Sequence, residues 1–240
     1  MSRRVVRDLV GIAVCVGVFA LCAVIAADGK VGPLERRVFR LINDRPQWLY
    51  RPMQLFQFLG VVIVPLIVAA VFAFMRKWRL AAAIALVMPI KLVVERIPKQ
   101  LVERSRPGTT VPHAILRGDV SAHGLSFTSG HAIIAFGIAG LITIALPRKW
   151  GVLALVLATM NGVARIYLGA HNPLDVLGGA AIGLTVAFLL DLVFDVRRDF
   201  VPAEPASSGS APTSTSTSGS TSASGSGSAD EVRGGDVVVS

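Results

Sequence analysis

Long apolar runs separated by short basic clusters constrain this chain more than any other feature. Residues 9–27 follow Arg3, Arg4 and Arg7 as an apolar run, long enough to cross a bilayer and longer than a usual signal-peptide core. We read it as a retained span. Further apolar runs cover residues 55–75, 80–94, 131–146, 151–168 and 173–194, so the pattern predicts an all-α bundle of six transmembrane helices. The third run is short and contains Pro89 and Lys91, which predicts a kink or tilt with Lys91 snorkelling toward the interface. In the sixth, Gly178, Gly179 and Gly183 permit close helix contact. After the first span, Leu34, Val38, Leu41 and Ile42 recur at helical spacing against Arg36, Arg37 and Arg40. That is the pattern of a short helix lying on the membrane surface, although a solvated loop with a basic face has the same residues. Trp48 and Tyr50 suit an interfacial belt.

Composition agrees: 53% of residues are hydrophobic and only 16% charged, the profile of an integral membrane protein. The net charge of +9 raises the question of nucleic acid. Its basic residues flank apolar segments instead of forming one stripe with interleaved aromatics, and nucleic-acid binding is set aside on that ground. Cys15 and Cys22 lie on the same expected helix, about 10 Å apart, too far to bridge each other. They read as core packing and supply neither a disulfide framework nor a metal site.

Two regions follow: a membrane domain over residues 1–200 and a tail over residues 201–240. The tail is Ser, Thr, Gly, Ala and Pro with almost no bulky apolar side chain, so it cannot repay the entropy of ordering and is expected to be disordered. With six spans, both termini share one side with the basic turns at Arg76, Lys77 and Arg79 and at Arg148 and Lys149. The positive-inside rule makes that side the cytoplasm and puts the segments carrying Lys99, His131 and His171 together on the outer face. The basic residues after the first span run partly against the rule.

Chemistry concentrates in the stretch GVARIYLGAHNPLDVLGG, residues 162–179. Arg165 precedes His171 by six positions, and Asp175 follows it by four. Asn172 and Pro173 read as a helix start, a good cap followed by a residue that needs no backbone donor. His171 then sits at a helix mouth, where Asp175 can accept the proton on one ring nitrogen and leave the other free to attack. Alternatively, Asp175 only caps the helix and His171 is a satisfied loop residue. The same membrane face receives Lys99, Arg106 with Pro107, and the run Thr128, Ser129, Gly130, His131. Two arginines and a lysine are what a phosphate requires, the guanidinium groups giving paired hydrogen bonds and the lysine a mobile charge. Ser129 and Gly130 open a helix, whose free amides and dipole favour an anion. One histidine to attack and a second to protonate the leaving oxygen then suffice for in-line phosphoryl transfer, with no metal or other cofactor.

These three segments resemble the motif set of the type 2 phosphatidic acid phosphatase superfamily, membrane lipid phosphatases related to vanadium haloperoxidases and glucose-6-phosphatase. The family pattern is K-x6-R-P, then P-S-G-H, then S-R-x5-H-x3-D. Here Lys99 to Arg106 and Pro107 keep the first, Thr128 replaces the proline of the second, and Ala164 replaces the serine of the third. Neither change removes a charge or a histidine. The resemblance implies His171 as nucleophile, Asp175 as its orienting partner and His131 as general acid. Lys99, Arg106, Ser129, Gly130 and Arg165 would bind phosphate. His113 and His123 match no motif position and read as loop residues. Losing the serine at Ala164 removes one hydrogen bond near the phosphate, worth about 1 kcal/mol.

The sequence therefore predicts a metal-independent phosphatase of the cell membrane, acting on lipid phosphates or diphosphates in the bilayer. A catalytically silent lipid- or partner-binding protein of the same fold is the main alternative, but it has no need to keep three cations, two histidines and an aspartate near lipid, where they are costly. A vanadate haloperoxidase is disfavoured by the six apolar runs.

Overall fold

The computed structural model describes residues 2–200, and among them every regular element is helical. In chain order these are α1 (Arg3–Ala26), α2 (Pro33–Asn43), α3 (Tyr50–Phe58), α4 (Val64–Phe74), α5 (Trp78–Val94), α6 (Arg96–Leu101), α7 (Pro107–Thr110), α8 (Gly130–Ala145), α9 (Arg148–Tyr167) and α10 (Pro173–Phe194). Short 3-10 turns cover Gln47–Leu49 and Val196–Phe200. The tail expected over residues 201–240 lies outside the described residues.

Three helices, α1, α9 and α10, are long and apolar enough to cross a membrane, and α4 and α8 are shorter apolar helices. The run over residues 55–75 is not one helix. It breaks after α3 into successive tight turns, Gly60 N–H to Gln57 O and Val61 N–H to Phe58 O, before α4 begins. Pro65 in the first turn of α4 explains the break, since a proline lacks the donor a continuing helix needs and its ring collides with the carbonyl four residues back.

α8 is the central element, packed by α5, α9 and α10. Ile134 and Leu141 of α8 join Ile84 and Val87 of α5, Val64 and Phe72 of α4, and Ala187 and Leu190 of α10 in the main core. α10 comes unusually close: a Cβ at Gly179 would lie 2.5 Å from the carbonyl oxygen of Ser129, and one at Gly183 2.5 Å from that of Ile133. Only glycine permits this approach, which holds the start of α8 against the start of α10. Outward from the core, Val10, Val14, Leu21 and Val24 of α1, Phe74 of α4 and Val193 of α10 are exposed. Apolar side chains on the outer surface of a bundle match a hydrocarbon solvent. On α2, Leu34, Val38 and Leu41 also face outward while Phe39 and Asn43 are buried.

A charge network closes the end of the bundle away from the start of α10. Asp8 and Asp191 are fully buried there; Arg7 Nη2 reaches Asp8 at 2.5 Å and Asp191 at 2.8 Å, and Arg4 pairs with Asp195 at 2.7 Å. Asp199 accepts the backbone N–H of Leu80 at 3.0 Å, capping α5. Cys15 and Cys22 are buried free thiols on α1.

Candidate active site

The long loop between α6 and α8 doubles back on itself. Ser105 and Leu125 form an isolated antiparallel bridge, Ser126 N–H donates to Arg104 O at 2.8 Å and Arg106 N–H to Gly124 O at 3.2 Å. This pairing delivers Arg106 and the Ser126 to Ser129 segment to one place. Ser129 then stands at the N-cap position of α8 without a side-chain capping bond, and its own N–H donates to the carbonyl of Asp175 in the first turn of α10 at 3.0 Å. The mouths of α8 and α10 are thereby tied together, and the first-turn amides of α8 have no acceptor within their own helix.

His171 is buried, and its Nδ1 lies 3.0 Å from the carbonyl oxygen of Ser126 and 3.8 Å from Asp175 Oδ2. A carbonyl and a carboxylate can only accept, so Nδ1 carries the proton and Nε2 keeps its lone pair. The hydrogen bond goes to Ser126, a partner not visible in the motif spacing, while Asp175 supplies charge from slightly farther away. Asp175 Oδ2 also accepts the N–H of Asn172 at 2.7 Å, as the capping reading expects, while at 3.8 Å from the ring it makes no direct hydrogen bond to His171. Burial lowers the His171 pKa and the charges of Arg165 and Arg106 act in the same direction, against the pull of Asp175. The ring is a neutral base at neutral pH.

A cavity of about 280 Å³ is lined by Arg106, His131 and Arg165, together with Gln54, Gln57, Arg117 and Asp119. Arg165 Nη1 donates to Gln57 Oε1 at 2.7 Å, which fixes the guanidinium. Among the described residues ten buried side-chain polar atoms have no protein hydrogen-bond partner, and Arg106 Nε, Arg165 Nε, Thr128 Oγ1 and Ser129 Oγ are four of them. The guanidinium groups of Arg106 and Arg165 are the ones that also line the cavity, where an acceptor could meet them. His131, in the first turn of α8, is backed by the break between α3 and α4. A Cβ at Gly60 would lie 2.6 Å from His131 Cβ and 2.7 Å from its carbonyl oxygen.

Lys99 stands apart from this group. Like His171, Ser129 and Gly130 it is absent from the cavity wall, and its ammonium is taken by Glu95, which also holds Lys91 at 2.5 Å. Burial pushes Glu95 toward its neutral form, but the hydrogen bonds from both lysines outweigh it and its pKa lies below the ordinary 4.5. The Glu95 carboxylate sits beside Gly130, so Lys99 is tethered next to the mouth of α8. His113 and His123 are exposed loop residues.

Several polar residues around the site match no motif position and have no role assigned by the sequence. Arg104 is fully buried and bonded to Glu35 and Asp175. Burial works against its charge, but these carboxylates outweigh it and raise its pKa. Arg117 donates to the carbonyls of Tyr167 at 2.6 Å and Arg45 at 3.0 Å. Asn43 and Asn161 are fully buried amides, and Asn161 Nδ2 ties α9 to the carbonyls of Phe56 and Gln57, both at 3.0 Å. The available signal was scarcity: in a chain with 15 acidic residues against 24 basic ones, a glutamate or amide beside an apolar run calls for a named partner.

The sequence profile described as the PAP2 superfamily matches residues 76–199. Phosphatidylglycerophosphatase B of Bacillus subtilis is 29% identical over 154 residues, covering 61% of this chain and 75% of that protein. An undecaprenyl-diphosphatase of Sulfolobus acidocaldarius is 27% identical over 124 residues, covering 51% of this chain and 59%, less than two thirds, of that protein. Among solved structures, LpxE of Aquifex aeolicus superposes with a TM-score of 0.55 at 27% identity, over 64% of this chain and 92% of that one. With just over half its length matched by the family profile and its apolar helices exposed outward, this chain is a membrane protein that belongs to the PAP2 superfamily, the type 2 phosphatidic acid phosphatases.

Proposed function

We propose that this protein hydrolyses lipid phosphates or diphosphates through a phosphohistidine, without a metal. The observation that carries the reading is a cavity lined by Arg106, Arg165 and His131, whose guanidinium donors lie near enough to His171 for both charges to lower its pKa, with His171 Nδ1 bonded so that Nε2 is free. A phosphate supplies the acceptors those donors need and the electrophile that nitrogen attacks. Lys99 adds its charge after leaving Glu95, and the amides of Gly130 and the first turn of α8 hold the remaining oxygen.

In the first step His171 Nε2 forms a bond to phosphorus as the bond to the leaving oxygen breaks, and His131 gives that oxygen its proton. In the second, water loses a proton to His131 and attacks phosphorus, releasing inorganic phosphate and returning His171 to its neutral form. Asp175 stabilises the positive ring between the steps.

The chain crosses the membrane six times in this reading: α1, the broken pair α3 and α4, α5, α8, α9 and α10. α2 lies at the interface with Leu34 and Leu41 in lipid. The basic residues of the end opposite the site, Arg4, Arg7, Lys77, Arg79, Arg197 and Arg198, are cytoplasmic, and the site faces outward at headgroup depth. A polyprenyl diphosphate, phosphatidic acid and phosphatidylglycerophosphate are the substrates this geometry fits, entering laterally. The activities named for the Bacillus and Sulfolobus relatives support a lipid over a soluble ester. Phosphate release from undecaprenyl diphosphate, phosphatidic acid, phosphatidylglycerophosphate and a soluble sugar phosphate in detergent micelles tests it. Preferential cleavage of the sugar phosphate would refute the lipid assignment.

A further inference from the structure

α2 lines no wall of the cavity, yet its two ends hold α9 and α10, the two helices that flank His171. At its first turn, Glu35 Oε1 accepts the N–H of Leu174, in the first turn of α10, at 3.0 Å, and Arg104 Nη1 at 3.0 Å. Glu35 Oε2 takes Arg104 Nη2 at 2.5 Å, and Arg104 Nη1 reaches onward to Asp175 Oδ1 at 3.3 Å. At the other end of α2, Asn43 Nδ2 donates to the carbonyls of Ile166 at 3.3 Å and Tyr167 at 3.0 Å, at the end of α9. The connector bearing His171 is therefore pinned on both sides by one short helix.

Arg104 meets His171 by two routes. Its side chain binds Asp175, and its carbonyl oxygen accepts Ser126 N–H at 2.8 Å; Ser126 in turn presents its own carbonyl to His171 at 3.0 Å. A fully buried guanidinium is an expensive way to join helices, because apolar side chains of similar volume do so without desolvating charge. Holding Asp175 is something apolar packing cannot do. With Oδ1 on Arg104, Asp175 Oδ2 is left for Asn172 N–H and the His171 ring.

We infer that Glu35 and Arg104 are positioning residues, whose side chains act on the reaction by orienting Asp175 beside the His171 ring. The inference rests on His171 being the nucleophile, as proposed above. Glu35→Gln keeps an acceptor for Leu174 and removes the ion pair; Arg104→Lys keeps the charge and loses the fork. Each is made in the full chain and assayed in micelles on phosphatidic acid and undecaprenyl diphosphate, with vanadate affinity and thermal melting as checks on folding. Each change is expected to lower kcat about tenfold, with KM and vanadate affinity within about threefold of wild type. In an Asp175→Asn background the same changes should cost less than about twofold more, because residues acting through one group are not additive. Unchanged kcat, a loss confined to KM, full additivity with Asp175→Asn, or loss of the folded protein in both variants would each overturn the inference. A wild-type chain inactive on both lipids, or an active His171→Ala, would instead remove the phosphatase reading on which it stands.

Discussion

His171 Nδ1 points at the carbonyl oxygen of Ser126, 3.0 Å away, so the ring's tautomer is set by a backbone group that no charge substitution can remove. Asp175, at 3.8 Å, contributes mainly charge. His171→Ala is therefore expected to abolish turnover, whereas Asp175→Asn leaves a measurable rate, about 100-fold below wild type, because the tautomer survives. His131→Ala should still form a phosphoenzyme from a substrate with a good leaving group and then stall. Trapping of radiolabelled phosphate on the chain distinguishes these cases, and full activity of His171→Ala would sink the mechanism.

The pH profile follows from the burial of His171. Its pKa is held below the ordinary 6.5, first by burial and then by Arg165 and Arg106, so the nucleophile stays unprotonated into mildly acidic solution. The acid limb of kcat/KM should fall below pH 6.5, and a limb at or above it contradicts the site as described. The sign for stability is the same: between the folded and unfolded values the unfolded chain binds more protons, so this group's contribution is full above about pH 6.5 and is lost as pH falls toward the folded value.

Gly60 tests the support behind the proposed acid. A methyl group there meets both the Cβ and the carbonyl oxygen of His131 within 2.7 Å, and the backbone has to move. Gly60→Ala should lower kcat at least about tenfold and cost about 1–3 kcal/mol of stability. Wild-type kcat with an unchanged melting temperature would mean that the turn before α4 plays no part in seating His131.

Metal independence is open to direct measurement. Activity is expected to survive EDTA and to be inhibited by vanadate, a five-coordinate mimic of the transferring phosphoryl group held by the same cations. An absolute requirement for added magnesium would rule this out.

Orientation can be read with reporter fusions. A reporter near Arg148 or after Phe200 should be cytoplasmic, and one within residues 111–120 should be outside. A cytoplasmic signal from that loop would invert the site and change the lipid pool it meets.

Much was legible in one dimension because hydrophobicity and motif spacing are local properties. The apolar runs predicted helices that α1, α9 and α10 match closely, and the intervals from Lys99 to Arg106 and from Arg165 through His171 to Asp175 flagged a phosphate chemistry before any coordinate. The break at Gly60 was less legible: both Gly60 and Pro65 stand in the sequence, but over residues 55–75 the apolar content outweighed them. What the tertiary structure alone decided are partnerships across long separations. Arg104 binds a glutamate 69 positions away, and His171 donates its hydrogen bond to a carbonyl 45 positions away. No periodicity encodes these, because a buried polar group is satisfied by whichever partner the packed helices bring within about 3 Å, and that is settled only when the whole chain is folded.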